Sequence, residues 1–212
     1  MASRSALVLV LLALLGTAVP AAALEARVTE VRMAGGTLRA ALEIRDMFPV
    51  RFQSILTQGG ALHLRLQLEL WEDRAIWDRL AQPALITVFR IILDPLTRQV
   101  SVSDRYGEIS RQPAWQEPLT IRLDVGRTES VREENKYYLR TLATLGTIAE
   151  KEEATGEAVF GGDDGSVSLG SIGRVLFHAV LQVNDYLQSV SAESRSRTLT
   201  GREFKAGGPL RD

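Results

Sequence analysis

From residue 61 to residue 74 the chain reads ALHLRLQLELWEDR, with leucine at every second position: Leu62, Leu64, Leu66, Leu68 and Leu70. His63, Arg65, Gln67, Glu69 and Trp71 stand between and after them. Successive side chains of a strand point to opposite faces, so this run predicts a β-strand with one aliphatic face and one polar face. At about 3.3 Å per residue the stretch Ala61 to Glu72 is long for a strand, and part of it must overhang its neighbours or curve.

Similar alternation recurs along the first two-thirds of the chain. Ala26 to Met33 and Leu38 to Arg45 flank the turn AGGT and predict a hairpin. DMFPVRFQSILTQGG (46–60) breaks the pattern and predicts a short helical crossover, started near Pro49 and stopped by Gly59 and Gly60. LITVFRIIL (85–93) and RQVSVSD (98–104), joined by the turn DPLT, predict a second hairpin. LTIRLDV (119–125) and KYYLRTLATLGTI (136–148) predict a third, across the charged GRTESVREEN. The expected fold is therefore mainly β: an antiparallel sandwich or partly closed barrel of about seven strands over 24–149. A transmembrane barrel would need at least eight such strands.

Beyond the strands the pattern changes twice. EKEEATGEAVFGGDDGSVSLG, within 150–170, is acidic and glycine-rich and reads as a loop. Within 171–190, Ile172, Leu176, Ala179, Val180, Val183 and Leu187 recur at helical spacing and predict one long C-terminal amphipathic helix packed on the sheet. The tail 191–212 has few apolar residues and is expected to be disordered, with Leu199 and Phe204 able to dock.

The N-terminus adds location. Arg4, the apolar run Ala6 to Gly16, and Pro20-Ala21-Ala22-Ala23 form the pattern of a secretory signal peptide (1–23) cleaved after Ala23. The run is short for the ~20 residues that cross a bilayer, so the mature chain is expected to be periplasmic or secreted and not an integral membrane protein. The chain has no cysteine, so its stability is expected to come from packing without disulfides. Its net charge of -1 gives no reason to expect a nucleic acid as partner. Only Lys136, Lys151 and Lys205 are lysines among 25 basic residues, which is either anion recognition through planar guanidinium forks or compositional bias.

Candidate chemistry is sparse. His63 and His178 are the only histidines, on different elements, so no metal or other cofactor is expected. Nucleophile-elbow, P-loop and dinucleotide motifs are missing from the sequence, which disfavours those chemistries. Asp163, Asp164 and Ser166 in GGDDGS lack the ligand spacing of a calcium loop.

The most distinctive stretch is ELWEDRAIWDRL, where Trp71-Glu72-Asp73-Arg74 is echoed by Trp77-Asp78-Arg79. Trp71, Arg74, Trp77 and Asp78 are the candidate binding residues, and no catalytic residue is assigned. Glu72, Asp73 and Asp78 also leave open a carboxylate-dependent hydrolase, or a stacking platform for a sugar. The structural alternative is that this stretch closes one end of the fold, with indoles on the core edge and Asp/Arg pairs fixing the loop.

ELWEDRAIWD followed by FRIILDPLTRQVSVS, behind a leader and an early hairpin, resembles an exported bacterial domain-of-unknown-function family over residues 24–105. Its members are often encoded near a membrane sensor histidine kinase of the nitrogen-regulation type. The resemblance implies signalling at the envelope and no catalytic residue. The expected function is a non-enzymatic envelope interaction module whose partner is an envelope protein. The alternative is a carrier of a lipid or other hydrophobic ligand, which requires the leucines of 62–70 to line a groove.

Overall fold

The structure, a computed structural model, describes residues 23–148 and 186–210. Residues 1–22 of the proposed leader, the acidic loop 150–170, His178 and the greater part of the proposed helix lie outside the described residues. The described chain is mainly β, with two antiparallel sheets that are not closed.

The smaller sheet has the order β12-β1-β2-β8, from Glu25–Ala34 (β1), Thr37–Arg45 (β2), Leu119–Arg127 (β8) and Gly208–Pro209 (β12). The larger follows β10-β9-β3-β5-β6-β7: Tyr186–Arg195 (β10), Lys136–Ile148 (β9), Leu62–Asp73 (β3), Leu85–Asp94 (β5), Gln99–Asp104 (β6) and Gly107–Pro113 (β7). Two-residue bridges complete it, Arg79–Leu80 (β4) on β3 and Leu199–Thr200 (β11) on β9. Val50–Thr57 forms α1 and Gly201–Ala206 forms α2.

The leucine face is core. Leu62, Leu64, Leu66, Leu68 and Leu70 are each at most 1% exposed. They share one hydrophobic cluster with Val28, Leu42 and Ile44 of the smaller sheet, Phe52 and Leu56 of α1, and Leu139 and Leu145 of β9. The length of β3 is resolved by overhang: β9 pairs with it from His63 to Asp73, whereas β5 pairs only from Leu62 to Leu68. Beyond Leu68 the freed edge is taken by β4, with Trp71 opposite Leu80 and Glu72 opposite Arg79.

The first two hairpins and the crossover helix stand where the pattern places them. Four expectations are corrected. β8 and β9 are not a hairpin: β8 pairs with β2 and β9 with β3, because 128–135 carries the chain from one sheet to the other, with Val131 buried in the crossing. The described strands number twelve rather than seven. β7 was hidden because none of its residues is buried, so GEISRQP carries no apolar alternation. The tail is ordered through Leu210: β10 lies along β9, a capping box of Thr200 and Glu203 starts α2, and Leu199, Phe204 and Leu210 are buried, Phe204 edge-on to Tyr137. Finally, 186–190, assigned to the end of a helix, belong to strand β10, where the backbone of β9 supplies their hydrogen bonds.

The polar face of β3 is also less wet than alternation alone suggests, since Arg65 and Glu69 are each 8% exposed. A test of the core must therefore use the sheet's exposed positions as its control. Leu66→Asp is expected to abolish cooperative folding, because an unpaired buried carboxylate costs more than the margin of a domain this size. Ile86→Thr, on the opposite face of β5 and 41% exposed, should change stability by less than about 1 kcal/mol. Urea denaturation of both variants checks this, and equal midpoints would mean that the leucines are not core.

Candidate functional site

The distinctive stretch forms the end of β3 and the loop that returns through β4. The parity that sends Leu70 into the core sends Glu72 the same way, but at the rim, where it is buried and surrounded by donors. Glu72 Oε2 accepts from Arg79 Nη2 at 2.7 Å, Arg79 Nε at 3.0 Å and Arg74 Nη2 at 3.0 Å, and Oε1 accepts from Asn135 Nδ2 at 2.9 Å. Hydrogen bonding from Arg74 leads the effects that hold the Glu72 carboxyl below its usual range, against the opposing push of burial.

A second clamp sits on Asp78. Its Oδ1 accepts the backbone N–H of Arg74 at 3.2 Å, and its Oδ2 accepts the Tyr138 hydroxyl at 2.8 Å. These bonds, the Tyr138 one first, lower the Asp78 pKa, and burial first, then the same contact, raises that of Tyr138. Arg195 of β10 lies 3.5 Å from the centroid of the Tyr138 ring, a cation over an aromatic face. The loop is thus tied to β9 as well as to its own strand, and Arg195 of β10 backs the tyrosine that ties it. The N–H of Ala81 donates to the carbonyl of Leu70 at 2.8 Å, and Gln82 Nε2 reaches the carbonyl of Val125 in β8 at 2.8 Å. The Gln82 amide passes where a side chain on Gly126 would stand, 1.9 Å from an ideal Cβ, so a larger residue there would displace Gln82 from this contact.

Of the candidate residues, Arg74 and Asp78 are brought together and both fix the loop. Trp71 lies on the polar face of β3 opposite Tyr138, and its Nε1 donates to Glu69 Oε2 at 2.8 Å. Trp77 does not close the core edge: it is 80% exposed, beside Ile76 at 82%. The two indoles make no ring contact with each other among the described residues, so no shared sugar platform forms. The arginine pairs do fix the loop, but on Glu72 rather than on an aspartate. Sequence reading missed Asn135, Tyr138 and Arg195. Only the Tyr137-Tyr138 pair, in a strand with no other aromatic residue, hinted at them.

No group of three metal-ligating residues occurs among the described residues. Glu72 and Asp78 are both biased toward the ionised form and occupied by donors, whereas a general acid needs a raised pKa. The arrangement serves to hold a short loop in one conformation with two large apolar side chains at its tip.

A depressed carboxyl pKa contributes stability that is present above the unfolded value and is lost as pH falls through the folded one. The wild-type chain is therefore expected to lose stability as pH falls below about 4.5, and Glu72→Gln should show a shallower loss over that range. At pH 7 the same variant should be less stable by about 1–3 kcal/mol. Chemical denaturation at several pH values checks both, and parallel pH profiles would contradict the ion-pair assignment. Among known proteins, no family model, curated protein or solved structure matches this chain.

Proposed function

We propose that this protein is a non-enzymatic interaction module of the bacterial envelope, which docks on a protein partner through the Ile76–Trp77 tip. The observation that carries the reading is the contrast between tip and base. Ile76 and Trp77 are 82% and 80% exposed, whereas the chain on either side is held by Glu72, Asp78, Tyr138 and the β4 bridge. A pre-organised loop loses little conformational entropy on binding, and exposed tryptophan flanked by arginine is the composition of interface hot spots.

The sharing of one hydrophobic cluster by both sheets supports a sandwich. The leader pattern supports export, and Leu24, the first residue after the proposed cleavage site, is already buried. No described helix is long and apolar enough to cross a membrane. The resemblance over 24–105 supports a link to membrane signalling. The carrier alternative needed a groove along the leucine strand, and those five leucines are packed in the core. The hydrolase alternative needs two of Glu72, Asp73 and Asp78 facing one cleft, whereas Glu72 and Asp78 are each taken up by separate sets of donors.

A photo-crosslinking amino acid at position 77 of the full chain is expected to give a discrete protein adduct in the envelope of expressing cells. The same probe at Leu96, 92% exposed in another turn, should give none. The position-77 adduct should disappear with Ile76→Ser. Equal crosslinking at both positions, or none at 77, would contradict the proposal.

A further inference from the structure

The start of β3, roughly 30 Å along the strand from the loop, holds a different arrangement on the polar face. His63 lies opposite Arg90 of β5 on one side and Gly146 of β9 on the other; Arg65 lies opposite Val88 and Thr144. Arg65 and Arg90 are therefore diagonal neighbours on one face, close enough for long side chains to meet a common ligand.

Neither guanidinium has a carboxylate partner among the described residues. Arg65 donates only from Nη2 to Gln67 Oε1 at 3.0 Å, and its Nε is buried without a partner although the residue is 8% exposed. The Nδ1 of His63 is likewise buried and unpartnered. The carboxylates along the same sheet are committed elsewhere: Glu69 to Gln67, Trp71 and Arg140, Glu108 to Ser101 and Arg111, and Asp104 to its own turn. A buried guanidinium with an idle donor beside a second unpaired cation is costly unless an anion completes it. Burial first, and the charge of Arg90 second, depress the His63 pKa to about 4 and keep a third positive charge out of the cluster.

From this geometry we infer that Arg65 and Arg90 form a carboxylate-binding site on the polar face of the larger sheet, with His63 at its edge. The planar fork of arginine matches a carboxylate in two parallel hydrogen bonds. The carboxylate has two possible sources: a free dicarboxylate, or the glutamates Glu150, Glu152, Glu153 and Glu157 that follow β9 in the sequence.

The test titrates glutarate into the full chain at constant ionic strength, and into a variant carrying Glu150→Gln, Glu152→Gln, Glu153→Gln and Glu157→Gln. Binding is expected to raise Tm by about 5 °C or more at a hundredfold excess over Kd. It should also move the His63 titration midpoint upward from about 4, read by NMR with His178→Gln to leave one imidazole. Both effects should vanish with Arg90→Gln, an exposed position whose replacement leaves the core intact. A response in both chains identifies a free ligand, and a response only in the glutamine variant identifies the chain's own glutamates as the occupant. No response in either, one that survives Arg90→Gln, or a stronger response to phosphate than to glutarate would overturn the inference.

Discussion

The pairing of β3 with β9 is the constraint on which the rest depends. Its register runs without a break from His63 opposite Gly146 to Asp73 opposite Lys136. Because side chains alternate, this single register decides three things together. It turns five leucines inward, it lays Arg65, Gln67, Glu69 and Trp71 along the other face, and it brings Trp71 beside Tyr138 at the overhanging end. A slip of one residue would exchange the faces and bury the charged set in the core, so the hydrophobic pattern itself holds the register.

The overhang connects fold to site. Since β5 leaves β3 at Leu68, the last residues of β3 are supported by β9 on one side and by the returning loop on the other. Glu72 and Asp78 complete that support with ionised carboxylates facing arginine, asparagine and tyrosine donors. Charge-assisted hydrogen bonds of this kind are stronger than neutral ones and directional, which suits a loop with no fully buried apolar residue, only Ala81 lying partly buried against the core. The same face is unevenly satisfied. Toward Trp71 the donors and acceptors form a closed chain from Arg65 through Gln67 to Glu69, while toward His63 donors outnumber acceptors.

Elements built from neighbouring residues were legible in the sequence. The AGGT and DPLT hairpins and the helix between Pro49 and Gly59 are local, and their turn residues and periodicity agree. What failed was non-local. β8 and β9 both alternate and are separated by a turn-like segment, and nothing in either strand states that their partners are β2 and β3. The tail was misread because its composition is polar, although Thr200 and Glu203 already had capping-box spacing and Leu199, Phe204 and Leu210 were enough to anchor it. Trp71, Arg74, Trp77 and Asp78 stood out as a stretch. Their roles depended on Asn135, Tyr138 and Arg195, which lie some sixty or more residues away and are brought near only by the β3–β9–β10 order.

Tied at both ends in this way, the loop bearing Ile76 and Trp77 extends the ladder as one rigid unit. Native-state hydrogen exchange tests it most directly through two amides, Arg74 N–H bonded to Asp78 and Ala81 N–H bonded to Leu70. Both amides should be protected and should open together with those at the end of β3. Exchange of these two amides at the rate of an unstructured peptide, with the centre of β3 still protected, would contradict it.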